Sequence, residues 1–142
     1  MKILVDADAC PVRNIIVKVA KEHNIPVILV FDESHIINDG YSKTIIVETG
    51  KDSVDITLTQ NVEKGDIVVT QDYGLADLCL KKDAKVINQN GLIFSTFNIN
   101  WYLMSRDFAE KKRSTGRKSF NAKKRKNRDN QKFENSFRTL LQ

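Results

Sequence analysis

The chain has 142 residues, 41% of them hydrophobic, and a formal net charge of +5. This suits one domain with at most a small appendage and excludes a wholly disordered protein. The two cysteines, Cys10 and Cys79, stand far apart, which excludes a disulfide scaffold and a zinc site of the Cys-x-x-Cys type. The first apolar run is interrupted by Lys2 and followed by Asp6, so we expect no signal peptide or membrane span, and a cytoplasmic protein.

The charge is divided unevenly along the chain. Residues 1–105 hold 10 Lys and Arg against 14 Asp and Glu, whereas residues 106–142 hold 13 against 4. A strongly basic tail on an acidic body indicates a polyanionic partner, because cations that neutralise phosphates release bound counterions. The alternative is a solvated tail that only aids solubility.

The first half of the chain alternates between strand and helix patterns. Three apolar runs predict buried parallel strands at residues 3–5, 27–31 and 44–47. Apolar residues at helical spacing follow the first and the third of these strands, over residues 12–20 and 54–62. Alternation of this kind predicts a mostly parallel sheet.

The second half continues the same pattern. A fourth strand is predicted at residues 67–69, a helix at 75–82 and a fifth strand at 86–87. The dipeptide Asn90-Gly91 then predicts a two-residue hairpin to a strand at 92–94. The fold class is therefore α/β, with three layers: a mostly parallel sheet that has helices on both faces and an antiparallel hairpin at its edge.

The C-terminal part of the sequence divides into three segments. Residues 98–112 read as a helix that completes an α/β domain spanning residues 1–112. Residues 113–132 are rich in Lys, Arg, Ser and Asn and predict a flexible basic linker. Residues 133–142 predict a short amphipathic helix that docks on the domain or on a partner.

Aspartates follow the predicted strands. Asp6 and Asp8 leave the first strand and Asp72 leaves the fourth, so all three converge at the carboxyl edge of the sheet if these strands are neighbours. Asp55 and Asp77 could reach the same edge from helices. Clustered carboxylates repel one another, and a hard divalent cation offsets that repulsion. We expect Mg²⁺ or Mn²⁺ on Asp6, Asp8 and Asp72, and the chemistry of phosphodiester hydrolysis.

Some of these aspartates also have purely structural interpretations. Asp52 and Asp55 could cap the first turn of a helix, Asp72 could cap the helix that follows it, and Asp77 could be a solvated charge on a helix face. Thr70 is a weaker candidate for a hydrogen bond to phosphate and is more typical of a strand end. Asp6 and Asp8 are harder to explain structurally, because carboxylates at the end of a buried strand cost stability unless something binds them.

Cys10 stands close to a predicted helix N-terminus, a position that lowers the pKa of a thiol. A reactive thiolate is therefore one interpretation. The sequence places no histidine nearby to act as its base. A packing or capping role is the simpler interpretation.

Three stretches of the sequence resemble the YaiI/YqxD family of small uncharacterised bacterial proteins: residues 5–12 (VDADACPV), 65–72 (GDIVVTQD) and 88–91 (NQNG). The resemblance covers about residues 1–112 and implies a PIN-like fold. PIN domains are mostly Mg²⁺- or Mn²⁺-dependent ribonucleases. By this resemblance their acidic site residues correspond to Asp6, Asp55, Asp72 and Asp77.

The sequence therefore predicts a Mg²⁺- or Mn²⁺-dependent nuclease that acts on RNA, with Asp6, Asp8, Asp55, Asp72 and Asp77 as catalytic candidates. One alternative is a haloacid-dehalogenase-like phosphatase, since Asp-x-Asp after a first strand supplies that superfamily's nucleophile and acid/base. Its usual Thr or Ser is replaced here by Cys10. Another is a nucleic-acid-binding module without turnover. The predicted RNA contacts are Lys111, Lys112, Arg113, Arg117, Lys118, Lys123, Lys124, Arg125, Lys126 and Arg128.

Overall fold

A computed structural model of the chain describes residues 1–8, 10–32, 38–48, 53–105 and 124–142. Within these ranges the strands form one six-stranded sheet of order β3-β2-β1-β4-β5-β6. Every neighbouring pair is parallel except β5 and β6, which are antiparallel. The strands are Ile3–Asp6 (β1), Val27–Phe31 (β2), Lys43–Ile46 (β3), Ile67–Val69 (β4), Lys85–Ile87 (β5) and Ile93–Phe94 (β6).

Helices cover both faces of this sheet, which confirms the predicted three-layer α/β architecture and is consistent with a PIN-like fold. They are Arg13–Glu22 (α1), Ser53–Asn61 (α2), Tyr73–Leu80 (α3), residues 99–105 (α4) and Asn127–Leu140 (α5). The buried side chains of α1 and α5 belong to the core on one face. Those of α2, α3 and α4 belong to the core on the other. In the described part of the chain no helix is long and apolar enough to cross a membrane.

The first strand shows why a continuous apolar run makes a central parallel strand. Ile3, Leu4 and Val5 are fully buried. Because side chains alternate along a strand, Ile3 and Val5 enter the core beneath α1 and α5, whereas Leu4 enters the opposite core. β1 also pairs with both β2 and β4. The first and fourth strands are therefore neighbours, which is the condition for Asp6, Asp8 and Asp72 to converge.

The third strand differs from the expectation of a buried strand at 44–47. β3 begins one residue earlier and is the outermost strand of the sheet on its side. Its residues are exposed or half-buried, and Ile46 is 48% exposed. An edge strand has a neighbour on one side only, so β-branched residues alone do not imply burial.

The edge hairpin is present, but its turn is longer than the two residues predicted. The Asn88 N–H donates to the Leu92 carbonyl at 2.9 Å, which leaves a three-residue loop of Gln89, Asn90 and Gly91. In this loop only Gly91 has a positive φ, of 85°. A two-residue type I′ turn needs positive φ at both central residues. The turn therefore has the three-residue form that ends in a left-handed glycine.

The terminal helix is longer than the sequence indicated. α5 begins at Asn127, inside the predicted linker, where the Asp129 carboxylate accepts the Lys126 N–H at 2.8 Å. Phe133 and Phe137 are fully buried against the domain, with stacked rings 5.3 Å apart. This helix is therefore part of the core. The predicted helix at 98–112 is described only as far as residue 105, and residues 113–123 of the predicted linker lie outside the described ranges.

Candidate active site

Four aspartates follow three adjacent parallel strands at the carboxyl edge of the sheet. Asp6 is the last residue of β1 and Asp8 lies two residues beyond it. Asp32 directly follows β2, and Asp72 lies three residues after β4 ends. We call these four residues the acidic edge. Their meeting follows from the strand order, because the ends of neighbouring parallel strands lie side by side.

Thr70 joins two members of the acidic edge. Its hydroxyl donates to Asp6 Oδ2 at 2.9 Å and accepts the backbone N–H of Asp72 at 3.0 Å. The residue is buried, with 2% of its surface exposed, and its own N–H donates to Ile87 of β5. The sequence indicated a strand-end role for Thr70. The structure shows that this strand-end residue also fixes the Asp6 carboxylate.

A second hydrogen bond connects the loops after β1 and β2. Asp8 Oδ2 accepts the backbone N–H of Asp32 at 2.8 Å. Asp32 is not among the site residues predicted from the sequence, although it follows a predicted strand directly, as Asp6 does. That position was the signal that could have identified it.

The electrostatics of Asp6 show how close these charges are. Burial is the largest cause that raises the pKa of Asp6, and the hydrogen bond from Thr70 opposes it. The negative charges of Asp72, Asp8 and Asp32 raise the pKa further, and the net result is a raised pKa. The acidic edge is therefore a region where negative charge accumulates and where a cation would be stabilised.

Asp72 has a structural role as well. It is the N-cap of α3, and its Oδ1 accepts the Leu75 N–H at 3.1 Å. The capping interpretation of Asp72 is thus confirmed, and the same residue belongs to the acidic edge. A carboxylate with two oxygens can serve both roles.

Asp55 lies in a cleft that one member of the acidic edge also lines. It lies in the first turn of α2, and together with Asp72 it lines a cleft of about 580 Å³ between α2 and α3. Ile56 and Leu78 give this cleft exposed apolar walls, with 56% and 46% of their surfaces accessible. Asp55 therefore shares this cleft with Asp72.

Asp77 has a local partner. Its carboxylate forms an ion pair with Lys81, the C-cap residue of α3 four positions later, at 3.1 Å. This is the arrangement expected of a charge on a helix face. Among the described residues, no hydrogen bond connects Asp77 with Thr70 or with its partners Asp6 and Asp72.

Cys10 lies near Asp6 and is buried. Burial is the largest cause that raises the pKa of its thiol, and the net shift is upward. A raised pKa keeps the thiol protonated at neutral pH, which opposes the interpretation as a reactive thiolate. The packing interpretation fits the structure better.

The donor set at the acidic edge suits a hard cation, since it consists of carboxylate oxygens. Within the described ranges, however, no three His, Cys, Asp or Glu side chains are arranged to hold one ion. The expected group of Asp6, Asp8 and Asp72 is thus not a preformed cage. Mg²⁺ needs only one or two protein carboxylates, because water and substrate phosphates complete its shell. The charge of Asp72 adds to burial in raising the pKa of Asp6, so these two carboxylates are near each other. The pair fits such an open site.

Four of the predicted RNA contacts lie in the described chain: Lys124, Arg125, Lys126 and Arg128. They line a depression of about 650 Å³ beside the loop after β5. The other six lie outside the described residues: Lys111, Lys112, Arg113, Arg117, Lys118 and Lys123.

Comparisons with known proteins give one consistent result. Residues 4–142 match the family model described as the uncharacterised YaiI/YqxD family. The chain is 53% identical over 134 residues to a UPF0178 protein of Ruminiclostridium cellulolyticum, covering 94% of this chain and 88% of that protein. It is 43% identical over 141 residues to a UPF0178 protein of Natranaerobius thermophilus, covering 99% and 96%. No solved structure matches. The family match extends beyond residue 112 and includes α5.

Proposed function

The chain belongs to the YaiI/YqxD family, and we propose that it is a Mg²⁺- or Mn²⁺-dependent nuclease that acts on RNA in the cytoplasm. The observation that supports this proposal is the convergence of Asp6, Asp8, Asp32 and Asp72 at one sheet edge, where burial and then the charges of Asp72, Asp8 and Asp32 raise the pKa of Asp6. A protein that gathers negative charge at a cost in stability does so most simply to bind a cation. The free, buried thiols of Cys10 and Cys79 are compatible with a reducing compartment.

Asp6 and Asp72 would hold the ion. When bound, a divalent cation polarises a phosphate oxygen and lowers the pKa of water so that hydroxide is available at neutral pH. Thr70 restrains the Asp6 carboxylate by donating to one of its oxygens. It also positions the start of α3 by accepting the Asp72 amide.

The remaining aspartates complete the surroundings of the site. Asp8 holds the loop after β2 in place through its bond to the Asp32 amide. Asp55 adds a carboxylate on the far wall of the cleft that Asp72 lines. A strand of RNA entering this cleft would meet apolar walls suited to a base and carboxylates suited to a hydrated cation.

The basic tail supplies the other requirement of a nuclease, attraction of a polyanion. Residues 106–142 carry 13 Lys and Arg against 4 acidic residues. The acidic edge by itself repels phosphates, so a cationic segment elsewhere in the chain is needed to provide the affinity.

Cleavage of labelled single-stranded RNA by the full chain, with Mg²⁺, with Mn²⁺ and with EDTA, tests the proposal. We expect cleavage only with metal, and its loss in Asp6→Asn. The matched control is Asp83→Asn, which removes the charge of an exposed aspartate that has a positive φ that Asn also tolerates. Intact RNA under all conditions, or equal cleavage by both variants, would contradict the proposal.

The same assay separates the alternatives. Release of phosphate from a small phosphomonoester, with RNA left intact, would favour the phosphatase. RNA binding without cleavage of either substrate would favour a binding module. Each outcome assigns the chain to a different class.

The tail should be tested by substitution and not by truncation. Truncation after Glu110 would remove α5, whose Phe133 and Phe137 are fully buried. Loss of one buried phenylalanine side chain costs about 3–5 kcal/mol. A truncated chain would therefore lose stability together with charge, and its RNA affinity would not report on the tail alone.

A further inference from the structure

A basic pocket lies between the loop after β5 and the start of α5. We define it by Gln89 and Asn90 of the loop and by Arg125, Lys126, Arg128 and Lys132. Lys124 and Asp129 also contribute to its walls, and its volume is about 650 Å³. Five cationic side chains and one carboxylate thus surround one depression.

Arg125 is held in place at the pocket wall. Its Nη2 donates to the Gln89 carbonyl at 2.7 Å, its Nη1 to Asn90 Oδ1 at 3.0 Å and its Nε to Asn130 Oδ1 at 2.6 Å. All three acceptors are neutral, so the charge of the guanidinium is not cancelled. A guanidinium has five N–H donors. Two therefore remain for an anion, on a group whose orientation is already fixed.

The other cations of the pocket also have no ion-pair partner among the described residues. The Asp129 carboxylate accepts the backbone N–H of Lys126 at 2.8 Å and so serves the start of the helix. Over the described ranges, no ion pair is formed by Lys124, Lys126, Arg128 or Lys132. The Asp129 carboxylate offsets one of the five positive charges, so the pocket keeps a positive potential for a ligand.

The two walls of the pocket are in direct contact. A Cβ placed on Gly91 would lie 2.9 Å from the Lys132 carbonyl and 3.0 Å from Ser136 Oγ. The loop and α5 therefore approach each other more closely than any residue except glycine allows. The pocket is a feature of the folded domain and differs in this from a flexible basic tail.

The basic pocket adjoins the acidic edge. Gln71, the residue before Asp72, donates through Nε2 to Gln89 Oε1 at 2.5 Å. β4 and β5 are parallel neighbours, so the loops that follow them lie on the same edge of the sheet.

We infer that the basic pocket is a phosphate-binding site for an RNA strand whose neighbouring phosphate reaches the acidic edge. Phosphate binding by the pocket concerns RNA binding alone. Presentation of the neighbouring phosphate to the acidic edge rests on the proposed nuclease function. The pocket would set which phosphodiester is presented to Asp6 and Asp72. It would also offset the repulsion between the strand and the acidic edge.

The test is fluorescence anisotropy with a short labelled oligouridylate in EDTA, where no metal contributes. The variant is Arg128→Ala with Lys132→Ala, since both side chains are exposed. The matched control is Lys43→Ala with Lys64→Ala, which removes two exposed charges distant in sequence from the pocket. Each lost phosphate contact should reduce the slope of log affinity against log salt concentration by about 0.7, so the slope of the pocket variant should be shallower by about 1.4. Its binding near 0.1 M salt should be weaker by about tenfold or more.

A charge-preserving variant, Lys132→Arg, should retain binding. Equal affinity and slope for the pocket and control variants, or no RNA binding by the full chain, would overturn the inference. If the pocket variant loses RNA binding but the full chain never cleaves RNA, phosphate binding by the pocket is supported and the nuclease proposal fails. If the full chain cleaves RNA and the pocket variant binds RNA as well as the control variant does, the nuclease proposal is supported and the assignment of the pocket as a phosphate-binding site fails.

Discussion

The Thr70 hydroxyl donates to Asp6 Oδ2 at 2.9 Å, so a buried side chain from the end of β4 restrains a carboxylate at the end of β1. The same hydroxyl accepts the Asp72 amide at 3.0 Å. Burial raises the pKa of Asp6, and so do the neighbouring negative charges. The hydrogen bond from the Thr70 hydroxyl to the Asp6 carboxylate opposes them and lowers this pKa. Thr70 therefore helps to keep Asp6 ionised, which is the state that binds a cation.

Replacing Thr70 with Val removes the hydroxyl and keeps the shape. We expect a loss of about 1–3 kcal/mol in the free energy of unfolding, because the Asp72 amide loses its acceptor and the Asp6 carboxylate its donor. The pKa of Asp6 should rise further, so Mn²⁺ binding should require a higher pH. Calorimetric Mn²⁺ titrations across pH measure this shift.

Thr70→Ser is the matched control for that variant, because it keeps the hydroxyl and loses a methyl group. Its Mn²⁺ binding should follow the wild-type pH dependence. A shift of the same size in Val and Ser variants would show that packing, and not the hydrogen bond, sets the behaviour of Asp6.

Asp6→Asn should raise the free energy of unfolding at neutral pH while it abolishes Mn²⁺ binding. The pKa of Asp6 is raised above its ordinary value of 3.8 in the folded chain. Ionisation of Asp6 therefore lowers the free energy of unfolding when the pH is above 3.8. This cost vanishes in more acidic solution, where the carboxyl is protonated in both the folded and the unfolded chain. Denaturant unfolding at neutral and acidic pH, without metal, should show a gain that disappears in acid. A less stable variant at neutral pH would contradict this prediction.

Asp66 should behave in the opposite way. Burial raises its pKa, but hydrogen bonds from the Lys2 side chain, the Glu63 amide and the Lys2 amide outweigh burial and leave the pKa lowered. The Lys2 Nζ to Asp66 Oδ2 distance is 2.7 Å. The stabilisation is therefore present above the ordinary value of 3.8 and is lost as pH falls through the lowered folded pKa.

Asp66→Asn should accordingly cost about 1.5–3 kcal/mol in the free energy of unfolding at neutral pH. The cost should shrink in strongly acidic solution, where the wild-type carboxyl is also protonated. Asp83→Asn, at an exposed site, should change little at either pH. Urea unfolding curves measure the free energies of unfolding of both variants. A cost for Asp66→Asn that does not change with pH would contradict the link between the lowered pKa of Asp66 and stability.

Much of the sheet and part of the acidic edge could be predicted from the sequence. Strands that are buried on both faces are continuous apolar runs, and such runs identified β1, β2 and β4. Asp6 and Asp72 were found because they follow these runs. Asp32 follows β2 by the same rule, so its place in the acidic edge was also predictable from the sequence.

Other features depend on contacts between distant parts of the chain. Nothing in the pattern of β3 reveals that it lies at the outer edge of the sheet. The double hydrogen bond of Thr70 requires β1 and β4 to be adjacent. The basic pocket requires α5 to pack on the loop after β5, whereas the sequence shows only a run of cations.

The close approach of Gly91 to α5 leads to the last prediction. Gly91 and Gly65 both have a φ of +85°, so replacement by Ala imposes the same backbone strain at each, about 1 kcal/mol or more. They differ in surroundings, since a Cβ on Gly65 meets nothing within 4 Å whereas one on Gly91 lies 2.9 Å from the Lys132 carbonyl. Gly91→Ala should therefore lower the free energy of unfolding by more than Gly65→Ala. It should also weaken RNA binding in EDTA, because α5 must move away from the loop that forms the other wall of the basic pocket. Denaturant unfolding and anisotropy on both variants measure these differences, and equal effects of the two substitutions would show that α5 is not held against the loop.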